Sequence, residues 1–182
     1  MLWFTSDTHF GHANVLHFTD RPFGDIAHMN RALVNAINER VAPTDDLYIL
    51  GDFSYQMTAV EAAALRSKIN CRKVHIVPGN HDKDWTHKDV AGTFIVEPPI
   101  VRINIHGQKI VLSHYPLMEW QSMSRGSWHL HGHIHSAGSV YNELNRKQGL
   151  MRYDVGVDAN DLAPVLSLIH ISEPTRLDVI SY

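Results

Sequence analysis

The chain has 182 residues with one cysteine and fourteen histidines, and its sixteen Lys/Arg against nineteen Asp/Glu leave a formal net charge of −3. That length suits one domain with a sizeable core, the slight acidity gives no general attraction to nucleic acid, and a lone Cys71 offers no disulfide framework and fits a reducing compartment. The apolar start Leu2-Trp3-Phe4 is too short for a signal peptide, and no segment approaches the ~20 apolar residues of a membrane span, so a cytoplasmic protein without membrane attachment is expected.

Residues 2–5 read as a short strand running into Asp7. Residues 26–40 read as a helix, because Met29, Leu33 and Ile37 recur at helical spacing and Ala36 widens the stripe; Pro43 and Asp45-Asp46 end it. Residues 47–50 form an apolar run before Gly51-Asp52 and read as a buried strand. Thr58 and Glu61 make a capping box that starts a second helix reaching to about Ile69. A third strand over residues 73–77 is stopped by Pro78-Gly79. Residues 100–105 and 109–112 form a hairpin about His106-Gly107-Gln108. Residues 128–131 make a strand before Gly132, and residues 153–157 make another. Early βαβ units followed by a strand-rich half predict an α/β fold, a four-layer α/β/β/α sandwich of two mixed sheets flanked by helices. Ligands are then expected on loops at the strand ends.

The last seventeen residues look foreign. Residues 166–176 resemble the translation of a sequencing-library transposon end joined to its adapter, residues 177–179 fit an index, and Ile180-Ser181-Tyr182 resembles the next adapter stretch. The expected domain is therefore 1–165, with 166–182 a non-native tail and a different natural continuation after Val165.

The chemistry lies in five segments, each after a predicted strand: Asp7-Thr8-His9, Gly51-Asp52, Gly79-Asn80-His81-Asp82, Ser113-His114 and Gly132-His133-Ile134-His135. Carboxylates mixed with imidazoles suit first-row divalent ions such as Mn²⁺, Fe²⁺, Ni²⁺ or Zn²⁺. Taken singly, each segment is an ordinary cap or turn. Taken in order, Asp7, His9, Asp52, Asn80, His114, His133 and His135 supply donors enough for two ions. Asp7 and His9 lie two apart, so in extended chain their side chains point the same way, and His133 and His135 repeat the pattern. Asp52 has two oxygens and is the bridging candidate; Asn80 adds a neutral oxygen. His12 and Asn14 follow the first segment closely and are candidates for substrate contact. Arg21, Lys83 and Arg125 are candidate phosphate contacts, with solvated surface charge as the ordinary alternative. His131 either orients a ligand or packs, and Trp85 and Trp120 either pack or stack on a ring of the substrate.

The ordered set Asp-x-His, Gly-Asp, Gly-Asn-His-Asp, His and Gly-His-x-His resembles the calcineurin-like metallophosphoesterase superfamily, particularly its small stand-alone bacterial and phage members, over residues 1 to about 165. The resemblance implies a hydrolase of phosphate esters using two divalent metal ions, Mn²⁺ foremost. One ion would be held by Asp7, His9, Asp52 and His135, the other by Asp52, Asn80, His114 and His133. It implies His81 as the catalytic histidine, Asp82 as its orienting partner, and a metal-bridging hydroxide that attacks phosphorus in line. A phosphodiester, with nucleotides among the candidates, is the expected substrate. A phosphomonoesterase or a non-catalytic protein-binding scaffold are the alternatives; the intact His81 and ligand set argue against the scaffold.

Overall fold

A computed structural model describes residues 1–167. Among the described residues nine strands form two sheets. The first contains β1 (Leu2–Thr5), β2 (Asp46–Ile49), β3 (Lys73–Ile76), β4 (Ile95–Val96) and β9 (Val165–Leu166), in the order β4-β3-β2-β1-β9. The second contains β5 (Ile100–Ile105), β6 (Gln108–Ser113), β7 (Trp128–His131) and β8 (Arg152–Asp154), in the order β5-β6-β7-β8. In the first sheet β1 to β4 are parallel and β9 is antiparallel to β1; in the second β6, β7 and β8 are parallel and β5 is antiparallel. Both sheets are mixed, as expected. Four helices accompany them: α1 (Val15–Phe18), α2 (Ile26–Arg40), α3 (Ala59–Arg66) and α4 (Val140–Lys147).

The strand period of two sorts side chains between two cores. Trp3, Leu47, Ile49, Val74 and Ile76 pack beneath Met29, Leu33, Ile37, Ala62 and Leu65 of α2 and α3. Phe4, Leu50 and Val77 face the other way and meet Val101, Ile110, Leu112, Leu130 and Val155 between the sheets. On the outer face of the second sheet, Trp120 lies over His129 and Tyr141 of α4 over His131, with ring centroids 5.2 and 5.6 Å apart. The layers thus run helix, sheet, sheet, helix. Asp25 caps α2 by accepting the His28 N–H at 2.7 Å. Thr58 and Glu61 close the predicted capping box on α3, a device worth about 1 kcal/mol.

Two boundaries and one helix differ from the sequence reading. The strand expected over 153–157 stops at Asp154, because the Asp154 carboxylate accepts the Gly156 N–H at 2.8 Å and turns the chain into a 3₁₀ turn at Val157–Ala159. Helix α3 ends at Arg66, short of Ile69. Helix α4 was not anticipated: its inward positions are Asn142 and Asn145, so no apolar stripe marks it, and Asn142 docks it by exchanging two hydrogen bonds with the Asp154 backbone. Leu166, the first residue of the foreign-looking segment, pairs with Trp3 of β1. Residues 168–182, the rest of that segment except Ser167, lie outside the described residues.

Candidate metal centre

Parallel pairing puts the C-terminal ends of β1, β2 and β3 side by side, and likewise those of β6, β7 and β8. Backbone bonds then sew the loops at these ends together. Asp7 N–H donates to Gly51 C=O (3.1 Å), His9 N–H to Asp52 C=O (3.0 Å), Gly132 N–H to His114 C=O (3.0 Å), and Val157 N–H crosses to Ser6 C=O (3.1 Å). The last bond, with the parallel bridge Ser6–Gly156, joins the two sheets at the ligand end.

The seven predicted donors converge. Ligand atoms of Asp7, His9 and His135 lie within 4.8 Å of one another, and so do those of Asp52, His114 and His133. Asp52 Oδ2 stands 3.5 Å from both His9 Nε2 and His114 Nε2, between the two groups. Asn80 Oδ1 is 2.9 Å from His114 Nε2. The expected use of both Asp52 oxygens is modified: Oδ1 accepts the His81 N–H at 2.9 Å, leaving Oδ2 to face both groups.

The local backbone is not the extended one anticipated for Asp7-x-His9 and His133-x-His135. Asp7, His9, Asp52, His133 and His135 all have positive φ, between 47° and 73°. Such conformations cost L-residues roughly 1–2 kcal/mol each, and strain of this kind collects where a site needs it. Gly51, at φ 89°, is where only glycine fits: a Cβ there would run into the His114 ring and the Gly79 backbone.

The donor set fits cations. His114 Nδ1–H donates to Leu50 C=O at 2.8 Å, which turns Nε2 into the site. Nε2 faces Asn80 Oδ1, Asp52 Oδ2 and, at 3.2 Å, His133 Nδ1. Oxygen and nitrogen acceptors gathered this closely repel unless a positive charge, a proton or a metal ion, sits among them. Asp7 Oδ1 and both His9 ring nitrogens are buried with no hydrogen-bond partner, and orphaned buried polar atoms require an explanation. Burial pushes the Asp7 carboxyl up to about 8, and Asp154 adds to the effect while His135 opposes it. Burial, with His135 and the Arg21 charge nearby, holds the His9 imidazole down to about 2, so it stays neutral with a lone pair to give. A divalent ion reverses the penalty on Asp7.

Two braces hold the site. Asp82 accepts from the Asp52 and Gly79 amides at 2.8 Å and from the Phe53 amide at 3.1 Å. Its carboxylate, expected to orient His81, clamps the β2 and β3 loops through these backbone amides. That ring stands 4.6 Å from Tyr55 and 5.6 Å from His9. The second brace is Arg21. Its guanidinium holds Asp158 through Nε (2.7 Å) and Nη2 (2.9 Å), the Thr8 and Asp7 carbonyls, and Met29 Sδ. With its donors spent in the interior, Arg21 has none for phosphate, and the expected phosphate contact is corrected. Asp158 in turn accepts from His135 Nδ1 at 2.7 Å, which leaves Nε2 for a metal. Although burial works against it, this hydrogen bond, with the charges of Asp7 and Asp158, raises the His135 pKa.

Of the remaining predicted residues, His12 is buried beside His9, with rings 5.4 Å apart. Asn14 is exposed at the start of α1 and Arg125 is exposed on a 3₁₀ turn; among the described residues no hydrogen bond or ion pair joins either to the ligand groups. His131 is buried between Gly132 C=O and the Tyr141 hydroxyl. Trp85 and Trp120 are core residues. Sequence reasoning missed Asp158, whose only signal was its place just past a ligand-end strand, and the rim aromatics Phe18, Tyr55 and Tyr115.

Fold and site together define a metal-dependent hydrolase of phosphate esters. The chain belongs to the calcineurin-like phosphoesterase superfamily, whose domain profile matches residues 1–156. It is 30% identical over 135 residues to an uncharacterized protein of Methanocaldococcus jannaschii, covering 74% of this chain and 69% of that one. It is 28% identical over 184 residues to the Gene 66 protein of Mycobacterium phage L5, covering 86% of each. Among solved structures, a protein of unknown function from Aquifex aeolicus shares the fold with TM-score 0.70 and 24% identity, over 91% of this chain and 94% of that one. No helix among the described residues is long and apolar enough to cross a membrane.

Proposed function

We propose that the chain hydrolyses phosphodiesters at a centre of two divalent ions. Asp7, His9, Asp52 and His135 would hold one, and Asp52, Asn80, His114 and His133 the other. The observation that carries this reading is Asp52 Oδ2, equidistant at 3.5 Å from an imidazole nitrogen of each group. The mixed oxygen and nitrogen set suits Mn²⁺, with Fe²⁺, Ni²⁺ and Zn²⁺ as alternatives. Bound ions supply Lewis acidity for the phosphoryl oxygens and lower the pKa of water.

The chain's own residues do the rest. His81 belongs to no ligand group, yet its amide is tied to Asp52 Oδ1 and its ring stands beside His9 and Tyr55. It would hand a proton to the departing ester oxygen, a contribution of ~10²–10⁴-fold for general acid catalysis. Asp82 keeps the two loops carrying Asp52 and His81 in register through three amide bonds. Arg21 and Asp158 hold His135 with Nδ1 toward the carboxylate. The test is hydrolysis of bis-p-nitrophenyl phosphate against p-nitrophenyl phosphate by the Mn²⁺-loaded protein. Diester hydrolysis lost in Asp52→Ala supports the reading; preference for the monoester would replace it with a phosphatase.

A further inference from the structure

Three aromatic rings stand against imidazoles in or beside the ligand groups, each from a different segment of the chain. Phe18 ends α1 and is 59% exposed; its ring meets His12 at 5.5 Å and His135 edge-on at 6.1 Å. Tyr115 follows His114 and is 48% exposed, 4.5 Å from the His133 ring and 5.0 Å from that of His114. Tyr55 is half-buried between His12 at 4.4 Å and His81 at 4.6 Å. Hydrogen bonds to the main chain fix two of them: Tyr55 N–H donates to Phe10 C=O at 2.9 Å, and Tyr115 C=O accepts from the Ser113 hydroxyl at 2.7 Å. Phe18 thus flanks the Asp7, His9 and His135 group, while Tyr115 flanks the Asp52, His114 and His133 group. His12, between Phe18 and Tyr55, is buried with its Nδ1 unpartnered.

Among the described residues, Phe18 and Tyr115 are the exposed Phe, Tyr or Trp side chains, whereas Phe4, Phe10 and Phe53 are fully enclosed. A single exposed apolar side chain is ordinary. Two exposed rings at one polar cluster, one beside each ligand group, gain little for folding and present flat apolar surface on both sides of the centre.

We propose that Phe18 and Tyr115 are stacking platforms and that the substrate is a nucleotide diester, with a base placed against one or both rings while its phosphate occupies the metal centre. The proposal rests on the phosphodiesterase reading and adds the chemistry of the ester groups. A diester carries a substituent on each side of phosphorus; a monoester has one and leaves a platform unused. Bases offer a π-face to aromatic rings whatever their identity, so recognition is by ring rather than by sequence. The net charge of −3 provides no field to gather a long polyanion, which favours a dinucleotide or a strand end.

The test is calorimetric binding of adenosine 5′-monophosphate and of ribose 5-phosphate, the same ligand without its base, to the Mn²⁺-loaded protein, with turnover of bis-p-nitrophenyl phosphate and of p-nitrophenyl phosphate followed in parallel. Adenosine monophosphate should bind about ten-fold more tightly, on the scale of one base–aromatic stack. Phe18→Ala with Tyr115→Ala should erase that advantage, while Phe18→Trp with Tyr115→Phe keeps it, and metal content should not change. Equal binding of the two ligands by the unaltered protein, or an advantage that survives the double alanine variant, would overturn the proposal. Failure of the underlying reading looks different: a base preference without turnover of any ester contradicts the hydrolase, whereas ester turnover without a base preference contradicts only the platforms.

Discussion

The two ligand groups meet at Asp52 but are braced by unlike chemistry. In the first, His135 is backed by the Asp158 carboxylate, which is itself locked to a buried Arg21 that also grips the Asp7 and Thr8 carbonyls. In the second, His114 is oriented by a neutral carbonyl, that of Leu50. A carboxylate behind an imidazole raises its basicity and fixes its tautomer; a carbonyl fixes the tautomer with less charge. The first group is therefore expected to bind its ion more tightly and more rigidly, and the second to exchange more readily.

The largest effect should come from the residue the halves share. Asp52→Ala should abolish turnover and lower bound metal at both positions, read by elemental analysis after dialysis; a variant with two ions and full activity would dissolve the distinction between halves. Removing the proton donor spares both. His81→Ala should retain two ions and lose ~10²–10⁴-fold in rate on diesters with poor leaving groups, with a smaller loss for p-nitrophenolate. The contrast itself is tested by Asp158→Asn, which should weaken one ion by about 10–100-fold and leave the other, so that metal titration separates into two steps. Equal weakening of both would show that the braces are one unit. The smallest effect lies away from the centre. Burial pushes the His129 pKa down to about 4, so the unfolded chain takes up a proton as pH falls below its ordinary value of about 6.5 while the folded chain does not. Stability is then full above about 6.5 and declines toward about 4, at about 1.4 kcal/mol per pH unit for one proton. In metal-free protein, urea titrations of His129→Leu should show that slope reduced by one proton's worth.

The same contrast explains what could be read from the residues alone. Strands β1, β2, β3 and β7 and helix α2 were legible because apolar spacing matches their period, and Pro78-Gly79 and the Thr58–Glu61 box marked the end of β3 and the start of α3. All seven donors were legible as types in an order, since each sits in a motif of a known family and follows a strand. Their conformation was not: five take left-handed backbone, which has no signature in Asp or His beyond tolerance. Nor was the bracing, because Arg21 and Asp158 are 137 positions apart and a buried ion pair leaves no local pattern. Asp82 looked like a histidine partner by adjacency, yet folding turned its carboxylate back onto backbone amides.

The most direct test of the central claim is anomalous diffraction from crystals grown with Mn²⁺. Two strong peaks sharing Asp52 are expected, one among Asp7, His9 and His135 and one among Asn80, His114 and His133. A single peak remote from Asp52, or none at full Mn²⁺ loading, would contradict it.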